Sequence, residues 1–256
     1  PNARGTSRSF SVKNTITELH NIISNGTKEI VLSGINIGDF GKQHNESLYD
    51  LLVEIESLSD LHRYRISSIE PNLLTDEIIE LISKSNKAMP HLHIPLQSGS
   101  DKILKSMKRR YSLDDYISVI NKVSDKIPDV CIGVDVIVGF PGETDNDFNM
   151  TYNLLEKLNI SYLHVFTYSE RDNTSSQNIS FKIDTLTKAM RRDKLKKLSA
   201  IKYRKFIECN VDRKLNILFE NYADGILSGW AENYIRVNVK SNENYINQIK
   251  KVKLLG

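Results

Sequence analysis

Cysteine is scarce in this chain: Cys131 and Cys209 are the only two in 256 residues, far apart and without CxxC or CxxxCxxC spacing. That excludes a disulfide framework and a self-contained thiolate metal site, and leads to the expectation of two reduced, buried thiols in a cytoplasmic protein. Long apolar runs are lacking too, since none approaches the roughly 20 residues a membrane span needs. No membrane partner is expected. The chain also lacks an initiating methionine and the charged, apolar, small-residue order of a targeting peptide. Its opening, PNARGTSRS, reads as an internal start with further sequence expected upstream. What remains, 39% hydrophobic and 26% charged residues, is the composition of a soluble globular protein with room for one large and one small domain.

The net charge of +3 conceals an asymmetry. Residues 1–181 carry 18 Lys+Arg against 24 Asp+Glu, whereas residues 182–256 carry 17 against 8. A basic carboxyl-terminal part suggests a polyanionic partner, most simply nucleic acid. A solvated lysine-rich helix is the equally open alternative.

From Glu29 to Tyr168 short apolar stretches alternate with amphipathic ones. Strands are predicted over 29–38, 64–71, 91–100, 131–144 and 162–171, and helices over 15–26, 47–58, 75–85, 100–110, 113–126 and 145–158. Gly26 is placed as a C-cap. The alternation predicts at least five parallel βα units in a barrel-like or doubly wound sheet. A long helix is predicted over 184–210, N-capped by Asp184, with Leu195, Leu198 and Ile201 on its apolar side and nine basic residues from Lys188 to Lys205. Strands at 214–220, 225–240 and 249–255 then form a small β domain beginning near Phe206.

In parallel sheets, function collects at the carboxyl ends of strands, and five strands here end in polar or glycine-rich text: SGINIGDFG, SSIEP, PLQSGS, GFPGET and TYSER. His91 and His93 share a strand face, a pattern that also begins zinc sites in some barrel hydrolases. That reading requires further ligands on other strand ends.

The segments PNARGTSRS, LSGINIGDFG, RISSIEP, HIPLQSGSDKILKSMKRRY, DVIVGFPGET and HVFTYSERDNT, taken in order, resemble the radical S-adenosylmethionine methylthiotransferases. The tail GWAENYIRVNV is similar to the small RNA-binding TRAM barrel that closes those enzymes. The resemblance implies an α/β fold: a partial (β/α)6 radical-SAM barrel (1–183), a basic linker helix (184–205) and a small all-β TRAM barrel (206–256). It implies S-adenosylmethionine and 4Fe–4S clusters as cofactors. The cluster cysteines are expected upstream of Pro1, because Cys131 and Cys209 cannot supply a cubane's converging thiolates. The implied activity therefore belongs to the parent protein. INIGDFG resembles the branch that adds a methylthio group to C2 of N6-threonylcarbamoyladenosine beside the tRNA anticodon, rather than the isopentenyladenosine or ribosomal-protein branches. Implied partners are the tRNA anticodon stem-loop, an electron donor and a sulfur donor, acting on a monomer.

The resemblance places Gly34 and Asn36 beside the methionyl part of the cofactor. Ser67, Ser68, Glu70, Gln97 and Ser98 fall where ribose hydroxyls or the amine would be met, and Gly139 and Pro141 beside the adenine. Thr144 is expected as an N-cap. Asp135, inside an apolar strand, needs a partner such as arginine or a cofactor group. RNA contacts are expected from Arg4, Arg8, Lys196, Lys197, Lys202, Lys205, Tyr234 and Arg236, with Trp230 in the core. A metal-dependent barrel hydrolase and a non-catalytic RNA-binding module stand as the competing readings.

Overall fold

The computed structural model describes residues 8–170, 179 and 181–255. Arg4, and most of the loop after Glu170, lie outside the described residues.

Five parallel strands form the wall of the larger unit: β1 (Glu29–Leu32), β2 (Arg63–Ile66), β3 (His91–His93), β4 (Cys131–Val138) and β5 (Tyr162–Thr167). β1 pairs with β2, and β3, β4 and β5 pair in that order. The two ladders are joined by backbone bonds from Met89 N to Tyr64 O (2.9 Å) and from Ile69 N to His93 O (3.0 Å). Strand neighbours therefore follow sequence order, which is the topology of a barrel wall rather than of a doubly wound sheet.

Each strand buries its outward residues under helices, as with Tyr64 and Ile66 on β2 and Ile132, Val134, Val136 and Val138 on β4. The covering helices are α1 (Val12–Ser24), α2 (Leu48–Ser57), α3 (Asp76–Lys84), α4 (Asp101–Ser106), α5 (Leu113–Lys126) and α6 (Asp145–Lys157). Their faces follow the helical period: Leu48, Leu51, Leu52 and Ile55 of α2 are all buried. Capping boxes at Ser47, Ser112 and Thr144 satisfy the orphan amides of three first turns, Thr144 serving as the N-cap of α6 as expected. Asn25 caps α1, and Gly26, with φ of 88°, takes the left-handed position after it. α4 stops well short of its predicted end, because Lys108 turns into the left-handed region at φ 57°.

α7 (Thr185–Glu208), N-capped by Asp184, packs along β5. Its buried residues are Arg191, Leu195 and Leu198, while Ile201 is 64% exposed. The helix continues past the expected boundary at 205, and the first strand of the small unit begins at Lys214.

That unit is an antiparallel sheet of β6 (Lys214–Ala223), β7 (Ile226–Ala231), β8 (Arg236–Lys240) and β9 (Ile249–Lys253) in the order β8-β7-β6-β9. Asp224 and Gly225, both at positive φ, make the two-residue hairpin turn between β6 and β7. The predicted strand over 225–240 breaks into β7 and β8 at Tyr234, whose φ is 65°. Leu215, Ile217, Phe219, Leu227 and Val237 form its core. Among the described residues, no helix is long and apolar enough to cross a membrane.

The turn after β4 is fastened to α7 by a buried ion pair. Arg191 Nη1 lies 2.6 Å from Glu143 Oε2, with the side chains 6% and 1% exposed. The same carboxylate accepts from the Gly139 amide at 2.7 Å. Removing one member strands the other without solvent, so Arg191→Leu is expected to lose about 3 kcal/mol or more of stability, with most of it regained in the Glu143→Gln/Arg191→Leu double variant. Urea unfolding midpoints of the three proteins measure this.

Candidate active site

The inward positions of the five strands are polar. Period-two alternation sends Glu29 and Val31 of β1, Arg63, Arg65 and Ser67 on and after β2, His91 and His93 of β3, Asp135 of β4, and Tyr162 and His164 of β5 to the side opposite the helices. Together with residues of the small sheet, many of them line a cavity of about 350 Å³.

At the amino-terminal mouth the small sheet closes this lumen. Glu29 lies 2.5 Å from Arg63 Nε and 3.0 Å from Arg65 Nε. Arg63 also donates to the carbonyls of Asn216 and Trp230, and Arg65 to those of Ala231 (2.7 Å) and Glu232 (2.8 Å). Tyr234 inserts from the turn between β7 and β8 and stacks on His91 with centroids 3.9 Å apart. Burial pushes His91 down to about 3, and the nearby charges of Arg65, His93 and His164 act in the same direction. His91 is therefore neutral, and its Nε2 lies 2.9 Å from the Tyr162 hydroxyl.

At mid-depth His93 Nε2 contacts Asp135 Oδ1 at 2.9 Å. Histidine thus supplies the partner that Asp135 requires. The His164 ring stacks 5.4 Å from His93, and burial followed by the His93 charge lowers its pKa.

The carboxyl-terminal rim is open. Ser67 and Ser68 are half-buried. Glu70 is engaged by Arg109 at 3.2 Å. Asn36 donates to Asp39 at 2.6 Å, while its Oδ1 is buried without a partner. A Cβ at Gly34 would meet nothing nearer than Ile37 at 3.8 Å, so the chain itself does not crowd that position. Gln97 is 8% exposed and sits at φ 71°, a strained conformation for a residue other than glycine. Ser98 is fully buried and accepts from the Ser100 amide, which makes it an internal strut of the loop rather than a rim contact. The Gly139–Pro141 turn is likewise enclosed: Pro141 is buried, and the stem of Lys188 fills the space beside Gly139.

An unpaired acceptor, two available hydroxyls and an uncrowded glycine, next to the exposed apolar surfaces of Val31, Ile35 and Phe166, suit a ligand with a charged or hydroxylated end and a flat apolar part. The same residues do not suit a thiolate-bound cluster. Cys131 is buried with its thiol pushed up to about 12, whereas Cys209 is exposed at the end of α7, contrary to the expectation of two buried thiols. A zinc site also lacks its geometry, since no group of three or more His, Cys, Asp or Glu among the described residues is arranged to hold a metal ion.

The nucleic-acid candidates divide. Arg8, Lys196, Lys197 and Lys205 are exposed. Lys202 lies on the packed side of α7, eleven residues after Arg191, and donates to the Leu158 carbonyl at 2.8 Å. It is a structural contact, not a free cation. Both faces of the Tyr234 ring are covered, by His91 and by Trp230 at 4.5 Å, so it cannot stack on a base. Arg236 lies over Trp230 at 5.0 Å and pairs with Glu220. Trp230 is half-buried in this stack instead of in the small core. Glu29, Arg63, Arg65 and Tyr162 were not singled out from sequence. Their signal was charge and hydroxyl recurring at period two within apolar strands.

The profile of the Radical SAM superfamily matches residues 2–155. The chain is 36% identical over 262 residues to the threonylcarbamoyladenosine tRNA methylthiotransferase of Bacillus subtilis, covering 100% of this chain and 58% of that protein. It is 33% identical over 262 residues to the tRNA-2-methylthio-N(6)-dimethylallyladenosine synthase of Clostridium tetani, covering 99% and 57%. The chain thus spans somewhat over half the length of these relatives. Among solved structures, the radical SAM coproporphyrinogen III oxidase of Escherichia coli superposes with a TM-score of 0.52 at 13% identity, over 77% of this chain and 46% of that one. That likeness is one of fold.

Because His91 titrates near 3 in the fold against 6.5 when unfolded, the unfolded chain takes up its proton first. Its contribution to stability is complete above about pH 6.5 and declines on acidification, with a slope approaching about 1.4 kcal/mol per pH unit. Denaturation between pH 7 and 5 should show this loss. A His91→Gln variant should be flatter over the same interval, retaining only the smaller share from His164.

Proposed function

The chain belongs to the Radical SAM superfamily, and on that premise we propose that the protein containing it transfers a methylthio group to C2 of N6-threonylcarbamoyladenosine beside the tRNA anticodon. The observation that carries this is the 36% identity extending over the entire chain to a threonylcarbamoyladenosine tRNA methylthiotransferase. The 33% identity to a dimethylallyladenosine synthase keeps the isopentenyl nucleoside as the second reading.

Adenine C2 bears no acidic hydrogen, so a general base cannot activate it. Bound S-adenosylmethionine, with a 4Fe–4S cluster whose ligands this chain does not supply, contributes a methyl group and hydrogen-abstracting radical chemistry. The chain's own residues bind and orient. The free Asn36 Oδ1 accepts from an ammonium group beside uncrowded Gly34, Ser67 and Ser68 meet hydroxyls, and Val31 and Phe166 cover an apolar ring. Gln97, held in its strained conformation, offers its amide to the same space. The closed amino-terminal mouth excludes water from below. Exposed Lys196, Lys197 and Lys205 meet RNA phosphates. A reductant and a sulfur donor complete the reaction, which takes place in the cytoplasm.

Mass spectrometry of tRNA nucleosides from cells with and without the parent gene tests the substrate. The expected loss is of 2-methylthio-threonylcarbamoyladenosine; loss of the isopentenyl derivative instead would transfer the assignment to the second reading. For RNA contact, replacing Lys196, Lys197 and Lys205 by alanine should reduce the slope of log affinity against log salt by up to about 3, roughly one per phosphate contact. Lys202→Ala should leave that slope unchanged.

A further inference from the structure

The rings of Trp230, Tyr234, His91 and Tyr162 form one continuous stack from the small sheet into the lumen. Trp230 and Tyr234 lie 4.5 Å apart at 14°, Tyr234 and His91 3.9 Å at 13°, and His91 and Tyr162 6.2 Å at 14°. Tyr234 and Tyr162 are themselves 6.4 Å apart at 26°. Three of the four rings belong to the side-chain types that yield one electron most readily. The fourth is positioned to take a proton: the Tyr162 hydroxyl is hydrogen-bonded to His91 Nε2 at 2.9 Å. A phenol is far easier to oxidise when its proton leaves with the electron, and the tyrosyl radical cation is acidic enough to protonate even a buried imidazole. All four rings line the cavity, and Trp230, at the far end of the stack from Tyr162, is also half-exposed beneath Arg236.

We propose that this stack is a one-electron conduit between the lumen and the surface, in which Tyr162 passes an electron through Tyr234 to an oxidised Trp230 while its phenolic proton moves to His91. The step balances. The neutral indolyl radical of Trp230 gains one electron and, from water, one proton. Tyr162 loses one electron, its O–H bond breaks, and the proton resides on His91 until released to water. If the protein runs radical chemistry as proposed above, the conduit disarms a stray carbon-centred radical in the lumen. That radical takes the hydroxyl hydrogen of Tyr162, forming a C–H bond. A surface thiol then returns an electron through Trp230 and Tyr234, is itself oxidised to a thiyl radical, and gives its proton to water, from which Tyr162 is reprotonated by way of His91.

The test needs no cofactor, so its failure would leave the functional reading untouched. A ruthenium tris-bipyridine photosensitiser with persulfate oxidises the intact chain in a laser flash. Trp230 is the only tryptophan, so tryptophanyl absorption reports this one site. The expected result is decay of that signal matched by a tyrosyl rise, slower in deuterated water. Tyr234→Phe should slow the transfer about tenfold or more, a barrier increase of about 1.4 kcal/mol. Tyr162→Phe should abolish the isotope-sensitive phase, and the off-stack Tyr152→Phe should leave the traces unchanged. Equal tryptophanyl lifetimes in wild type, Tyr234→Phe and Tyr162→Phe would overturn the proposal. Should either tyrosine variant melt early, His91→Phe, which keeps a stacked ring but removes the proton acceptor, is expected to lose the isotope effect, and its persistence would equally overturn it.

Discussion

A buried guanidinium must be paired, and two of them set the relation between the two parts of this molecule. Arg63 and Arg65 stand side by side at the mouth of the barrel with one carboxylate, Glu29, between them. One anion cannot satisfy two forks of donors removed from water. The deficit is made up by backbone carbonyls of Asn216, Trp230, Ala231 and Glu232, which only the small sheet can present. At this point the interface rests on four hydrogen bonds from guanidinium groups to backbone carbonyls. Tyr234 then enters the space between the arginines and His91, its ring also 5.4 Å from the Arg65 guanidinium.

This arrangement gives the lumen a direction. The amino-terminal end is plugged by ion-paired and hydrogen-bonded side chains, whereas the half-buried Ser67 and Ser68 and the unpartnered Asn36 Oδ1 lie toward the carboxyl-terminal rim. Parallel βα architecture places functional loops at that same end. The turn after β4 shows how rim loops are held: Glu143 and Arg191 anchor it to α7, and Gly99 approaches α6 so closely that a Cβ would come within 2.5 Å of Thr151 Cα. Such loops are rigid before any ligand arrives, which lowers the ordering cost of binding.

Much of the barrel was legible because period-two and period-3.6 patterns are local. The alternation of strands and helices and the shared face of His91 and His93 follow from them, and the caps at Thr144 and Asp184 from equally local residue types, whereas the barrel order of the strands was left open between two topologies. What was not legible depended on contacts between distant segments. The spacing of Arg191, Leu195, Leu198 and Lys202 describes a buried stripe only once β5 and the end of α6 are known to lie beneath it; by composition alone Lys202 is one more cation and Ile201 one more core residue. Tyr234 and Arg236 near Trp230 have the residue types of a base-stacking surface. The positive φ at Tyr234, which turns its ring toward His91, is invisible in the letters YIRV. Cys209 was misplaced for a related reason, lying where α7 ends on the surface.

The edge of the small sheet has a further consequence. β9 is a border strand, and three of its five residues, Lys250, Lys251 and Lys253, are exposed lysines. Unpaired backbone on such a border is a template for adding strands from other copies, and lysine is a common guard against it through repulsion between like borders. Part of the positive charge at this end therefore governs colloidal behaviour: variants neutralised along β9 to probe RNA affinity would also become prone to self-association.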